Sequence, residues 1–168
     1  MYRFSTGFAY FITKVVSRYA GLFEKDLAAH GITVPMYRVL AGLWEKGDQQ
    51  LGELSGMTTI ELSTLSRLIG GLKQSGLVSR ARVETDERSV RLNLTAKGRA
   101  LTPKLMTIAA RYEDFAVQVL GEDEMAVVRR NLAKIYENLG QLESPVSSSP
   151  PSRRAPRALT PRLRVRSS

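Results

Sequence analysis

The stretch that decides the fold is residues 61–94, which read ELSTLSRLIGGLKQSG and then LVSRARVETDERSVRLNL. In its first part, leucines and isoleucines recur three and four residues apart, which is the spacing of one buried face on a helix. From Leu77 the period changes to two, and a polar turn at 84–87 separates the two alternating runs. The stretch therefore predicts a helix followed by a two-stranded hairpin with a charged tip.

Thr58 and Glu61 precede the helix at the spacing of a capping box, so they predict its start, and Ser75 marks its end. Gly70 and Gly71 lie inside it and weaken it, because an interior glycine costs about 1 kcal/mol relative to alanine. Its inward face is expected to carry the large apolar residues, which are Leu62, Leu65, Leu68, Ile69 and Leu72. Its outward face is expected to be compact and polar, with Glu61, Ser63, Thr64, Ser66 and Arg67.

N-terminal to this stretch, periodic apolar residues predict three more helices, over about 5–29, from Pro35 to Gly47, and around 50–56. The order of helix, short helix, helix and hairpin is that of a winged helix-turn-helix. In this fold the second helix of the turn motif fits the major groove of DNA. The predicted fold class is mainly α with a small β-hairpin wing, together with a helical dimerisation region.

Two helices after the hairpin supply that region. Thr95 caps the first, the second follows Gly121, and their apolar residues alternate three and four apart, as in helices that pack lengthwise. The spacing fits both an intramolecular helical hairpin and a dimer interface. The helix over 5–29 is also apolar over a wide arc, so there is more apolar surface than one small domain needs, which favours a homodimer.

The charge is concentrated in particular segments. The 168 residues have a formal net charge of +9, and residues 58–104 hold nine Lys and Arg against four Asp and Glu. A localised basic region favours a polyanionic partner, with double-stranded DNA as the leading candidate. Residues 144–168 contain six arginines and no acid among serines and prolines, so we expect a disordered basic tail there.

Composition also excludes several classes of protein. The chain has no cysteine and one histidine, so neither a thiolate nucleophile nor a Cys/His zinc site is available. No G-x-S-x-G or phosphate-loop pattern occurs, and we expect no catalytic residue, no metal and no cofactor. The acids at 122–124 suit the first turn of a helix better than a metal cluster. No apolar run approaches the roughly 20 residues that would span a membrane, so a cytoplasmic protein is expected.

The sequence resembles the MarR family of bacterial transcriptional regulators over roughly residues 8–142. The matching motifs are Ile32-Thr33, Tyr37-Arg38-Val39-Leu40, Ser63-Thr64-Leu65-Ser66-Arg67-Leu68, Gly76-Leu77-Val78-Ser79-Arg80, Asp86-Glu87-Arg88 and Leu92-Asn93-Leu94-Thr95-Ala96-Lys97-Gly98. The resemblance implies a homodimer on a pseudo-palindromic operator. It also implies that Arg88, held by Asp86, reaches the minor groove. The residues that would contact DNA from the recognition helix are Ser63, Thr64, Ser66 and Arg67.

The expected organisation is a MarR-type domain over 1–143, with the winged helix at about 32–95 and dimerisation helices at about 5–29 and 97–142. The expected function is a dimeric repressor that a small organic effector releases from DNA. Tyr37, Arg38 and Trp44 are the candidate ligand pocket, although aromatic residues on an amphipathic helix are more often core.

Other interpretations of these residues stay open. Arg88 could be a solvated turn residue, and Arg67 could pair with Glu61 on the surface. The alternative function is a winged-helix protein–protein interaction module without DNA binding, which would place apolar residues on the exposed face of 61–75.

Overall fold

The computed structural model describes residues 3–83 and 86–143, and it describes their side chains except at 82–89 and 143. A short 3-10 turn at Phe4–Thr6 precedes the regular elements. In chain order these are α1 (Phe8–Ala28), α2 (Val34–Lys46), β1 (Gln49–Gln50), α3 (Leu51–Thr58), α4 (Leu62–Gln74), β2 (Val78–Val83), β3 (Asp86–Leu94), α5 (Ala96–Val117) and α6 (Glu122–Glu143). The predicted fold class, mainly helical with a small hairpin wing, is confirmed.

The chain divides into two compact units, whose described parts are residues 3–119, apart from 84–85, and residues 120–143. One apolar core runs through the first unit and takes fully buried side chains from every long element in it. These are Phe23, Leu27, Leu40, Leu54, Leu65, Ile69, Leu92 and Leu105. Helices α1 and α5 therefore share a core with the helix-turn-helix and the sheet.

The sheet has the order β1-β3-β2 and is antiparallel throughout. Strands β2 and β3 form the predicted hairpin, with Val78 opposite Leu94. The sequence did not predict β1, which pairs Gln49 with Leu92. A two-residue strand is too short for a periodic signal, and its position is fixed instead by the buried Gln49 side chain, whose Nε2 donates to the Gly42 carbonyl at 2.9 Å.

The predicted apolar stripe of α5 is divided between two environments. Leu105 is fully buried inside the first unit, whereas Phe115 is 71% exposed and Val119, just after the helix, is 80% exposed. Within this unit, therefore, only the C-terminal part of the α5 stripe is exposed and free to pack against another surface.

Helix α6, in the second unit, exposes much of its own stripe, with Leu139 53% and Leu142 79% exposed. Over the part of the chain that the structure describes, no helix combines the length and apolar character needed to cross a membrane.

Candidate DNA interface

Helix α4 begins with a side-chain cap that differs from the predicted one. Glu61 is itself the N-cap: its Oε2 accepts hydrogen bonds from Ser63 N at 2.9 Å and Thr64 N at 3.1 Å, and also from the Ser63 hydroxyl. These bonds, led by that from the Ser63 hydroxyl, lower the pKa of the Glu61 carboxyl. The predicted capping box from Thr58 to Glu61 was wrong, because Thr58 is the last residue of α3, buried, with its hydroxyl donating to the Leu54 carbonyl at 2.6 Å.

The two faces of α4 separate largely as expected. Leu65, Ile69 and Leu72 are buried in the core, and Leu68 packs against it from a partly buried position. Leu62 is the exception at 49% exposed, since it lies at the first residue of the helix, beyond the edge of the core. The inward position predicted for it was wrong.

The outward face of α4 brings together the predicted polar residues. Ser63, Ser66 and Arg67 are exposed and Thr64 is half-buried. The Arg67 guanidinium donates to Thr64 Oγ1 at 3.5 Å and lines a groove of about 320 Å³ between α2 and α4. This face presents short hydroxyls and one cation, which can bond phosphates or base edges.

The two glycines of α4 do not interrupt the helix, which continues to Gln74. A Cβ on Gly70 would meet nothing within 4 Å, and one on Gly71 would meet only Met36 Cε, at 3.8 Å. Packing therefore does not require glycine at either position.

The wing is described only in part. Strand β3 begins at Asp86, whose Cα is paired with Val83. The side chains of Asp86 and Arg88 lie outside the described residues, and so does the whole segment 144–168. Their predicted roles stay predictions.

The three candidate pocket residues have different surroundings. The Tyr37 ring makes an edge contact with Phe23 of α1, with centroids 5.0 Å apart, and burial raises the pKa of Tyr37. Arg38 instead donates to Thr59 Oγ1 in the turn between α3 and α4. Trp44 is 42% exposed. Tyr37 thus faces α1, whereas Arg38 faces the helix-turn-helix.

A cavity of about 220 Å³ between α1 and α5 was not predicted. Its lining residues are Val15, Arg18, Tyr19, Leu22, Tyr112, Phe115 and Ala116. At one side Tyr112 Oη donates to Asp26 Oδ2 at 3.1 Å, and Arg111 pairs with the same carboxylate. The aromatic residues Tyr19 and Tyr112 were the sequence signal for this cavity, but local periodicity does not reveal that two residues so far apart in the chain line the same space.

A helix-turn-helix followed by a hairpin, with a polar and cationic outward face on its second helix, defines a winged helix-turn-helix DNA-binding protein. The family model of the transcriptional regulators SarA/Rot matches residues 21–105. A MarR family regulator from Silicibacter pomeroyi has a crystal structure that is similar with a TM-score of 0.70 at 32% identity, covering 79% of this chain and 90% of that one. The chain belongs to the MarR family of transcriptional regulators, as the sequence motifs predicted.

Two sequence relatives extend the comparison. The HTH-type transcriptional regulator TtmR of Methylorubrum extorquens is 34% identical over 73% of this chain, which spans 64% of TtmR. The HTH-type transcriptional repressor IacR of Pseudomonas putida is 26% identical over 79% of this chain and 80% of its own length. These relatives are regulators rather than enzymes, as predicted.

Proposed function

We propose that this chain is a homodimeric repressor that binds a pseudo-palindromic operator in double-stranded DNA. The observation that carries the proposal is the outward face of α4, where Ser63, Ser66 and Arg67 are exposed beside a buried apolar face. Short side chains let the helix approach the base edges closely, and Arg67 supplies the charge. Thr64 completes this contact surface, while Arg88, restrained by Asp86, enters the minor groove from the wing.

Dimerisation is supported by apolar surface that remains open in both units. Phe8, Phe11 and Val15 on α1 are 50%, 55% and 66% exposed, and α6 carries its own exposed stripe. Surface of this kind marks an interaction site in a soluble protein. We assign dimerisation to helices at about 5–29 and 97–142, and DNA binding to the winged helix at about 32–95, within a domain over 1–143.

The proposal is tested by selecting bound sequences from random duplex DNA with the purified full-length chain. We expect enrichment of a pseudo-palindrome whose half-sites are centred about 10 base pairs apart. If no sequence is enriched and binding is absent at low salt, the chain is the alternative protein–protein interaction module.

Release by a small organic effector is the finer part of the proposal. The cavity between α1 and α5 is lined mainly by apolar and aromatic side chains, with Arg18 among them to hold an anionic group. A ligand releases DNA only if it binds one conformation better than the other.

The test of the effector is release of labelled operator by a panel of small aromatic acids. Ala116→Phe, which fills the cavity, should abolish the response while operator binding persists. An equal response in this variant would place the effector elsewhere. The repressor role is suggested by the relative IacR and is tested with a reporter gene placed behind the operator.

A further inference from the structure

The turn between α3 and α4 contains an unusual backbone conformation. Thr59 has φ 54° and ψ 30°, in the left-handed region. It is the single non-glycine residue with positive φ in the described ranges, 3–83 and 86–143. A β-branched residue is strongly disfavoured there. Such a conformation persists only where surrounding contacts enforce it.

The contact to the Thr59 side chain comes from α2. The Nη2 group of Arg38 donates a hydrogen bond to Thr59 Oγ1 across 21 residues of sequence. One turn further along α2, Gly42 packs tightly on α3, since a Cβ there would lie 3.0 Å from Leu54 Cδ1 and 3.6 Å from Thr58 Cγ2. The Arg38 bond thus continues the packing of α2 on α3 as far as the turn.

Both neighbours of Thr59 are fixed independently. The Thr58 hydroxyl donates to the Leu54 carbonyl, and the Ser55 hydroxyl donates to the Ile60 carbonyl at 2.7 Å. Thr58 and Ile60 are also buried. Thr59 is therefore the exposed hinge between two anchored residues, and its conformation sets the direction in which α4 leaves the turn.

We propose that Arg38 is a positioning residue for DNA binding, which holds Thr59 in the left-handed conformation and thereby orients α4. The inference rests on the proposed DNA-binding function and adds a residue to it. Helix α2 also packs on α1 and α5. Arg38 therefore connects α4 to the part of the core that adjoins the cavity between α1 and α5, and we do not assign it to the lining of a ligand pocket.

The test is a double-mutant cycle on the full-length chain and its selected operator, with Arg38→Ala, Thr59→Val and the double variant. Thr59→Val keeps the shape and removes the acceptor. We expect each single variant to bind about tenfold more weakly, which corresponds to the loss of one charge-assisted hydrogen bond. The double variant should be no weaker than the weaker single one, since both remove the same bond.

A rescue distinguishes positioning from direct contact with DNA. Asparagine adopts the left-handed region far more readily than threonine. Adding Thr59→Asn to Arg38→Ala should therefore restore affinity to within about threefold of the unmodified chain. If Arg38 instead bound a phosphate, Arg38→Ala would lower the slope of log K against log salt by about 0.9, and adding Thr59→Asn would not restore binding. That result would overturn the inference.

Arg130→Ala is the matched control, because it removes one exposed arginine from α6, in the other unit. Its affinity should stay within about twofold of the unmodified chain. Unfolding in urea should show that every variant is folded at the assay temperature. Tight binding by Arg38→Ala would overturn the positioning role and leave the proposed function intact. Failure of the unmodified chain to bind any DNA would overturn the proposed function itself.

Discussion

A Cβ atom on Gly98 would lie 2.2 Å from the carbonyl oxygen of Leu77. The close approach follows from the Thr95 cap of α5. Thr95 N donates to that same carbonyl at 3.1 Å, and Thr95 Oγ1 accepts from Gly98 N at 3.1 Å and donates to the Gly76 carbonyl at 2.6 Å. The first turn of α5 is therefore pressed against the segment that joins α4 to β2.

Gly98→Ala should consequently destabilise the protein by about 3 kcal/mol, because the atom it would strike is backbone and cannot move aside. Urea unfolding followed by circular dichroism measures this loss. Gly21→Ala in α1 is the control, since a Cβ there meets nothing within 4 Å. That substitution should stabilise the helix by about 0.5–1 kcal/mol. Equal midpoints for the two variants would contradict the close approach.

The Glu61 cap predicts a pH-dependent contribution to stability. Because its hydrogen bonds lower the pKa of Glu61 in the folded state, the contribution is fully present above the unfolded-state pKa of the carboxyl. It is lost as the pH falls through the lowered folded-state pKa. The stability difference between the unmodified chain and Glu61→Ala should therefore be largest near neutral pH and shrink in acid.

Urea unfolding from pH 7 to pH 3 checks this expectation. Glu61→Gln is the control, because an amide oxygen can still accept from Ser63 N and Thr64 N but does not titrate. Its difference from Glu61→Ala should stay constant over the range. A constant difference for the unmodified chain as well would show that the cap does not depend on ionisation.

Arg67 and Arg88 should affect DNA binding differently. Arg67 on the outward face of α4 can bond a guanine edge in the major groove, which contributes roughly 1–3 kcal/mol of discrimination. Arg67→Ala should relax the preference at particular operator positions. Arg88→Ala should weaken binding broadly, because the minor groove carries little sequence information, and Asp86→Ala should cause part of the same loss.

Affinities on the operator and on a panel of single base-pair changes separate the two effects. A uniform loss by Arg67→Ala would assign that residue to a phosphate. If both arginine variants bind like the parent while folded, the proposed DNA contact is wrong.

The exposed apolar faces predict a dimer held in part by α6. Leu132→Glu or Ile135→Glu should shift the chain towards monomer or unfold it, and sedimentation at micromolar concentration measures the shift. Ala133→Glu adds the same charge about 100° further round the helix and should leave the dimer intact. A stable monomer of the unmodified chain would refute the dimer.

Deleting residues 144–168 should leave the fold and the operator choice unchanged but weaken affinity. The six arginines of that segment offer up to six phosphate contacts, each worth about 0.9 in the salt slope when fully engaged. A full-length variant with these arginines replaced by glutamine is the control for length and should lose the same slope. An unchanged slope in both would show that the segment does not touch DNA.

Local periodicity was sufficient to predict the long helices, the hairpin and the outward face of α4, because each signal lies within one element. It failed where two local solutions fit the same residues. Thr58 and Glu61 have capping-box spacing, yet burial of Thr58 extends α3, and Glu61 caps α4 alone. A capping box does occur at the start of α3, between Gln50 and Glu53.

Features made by distant segments could not be predicted from such patterns. The cavity between α1 and α5 depends on contacts such as that of Asp26 with Tyr112, which are 86 residues apart. Arg38 was named as a candidate pocket residue on the resemblance to the family, and that role stays a prediction, whereas its hydrogen bond to Thr59, 21 residues along the chain, has no signal in the local sequence. The close packing of Gly42 on α3, one turn further along α2, is likewise visible only in the tertiary structure.

The strand order has a consequence for colloidal behaviour. Because β3 lies between β1 and β2, strand β2 forms an outer edge of the sheet, where backbone groups can recruit a strand from another molecule. The sequence of that strand has an arginine at two alternate positions, Arg80 and Arg82. When the β2 edges of two molecules approach each other, each brings two positive charges, and these charges repel. The wing therefore resists strand addition at the high concentrations that accompany overexpression.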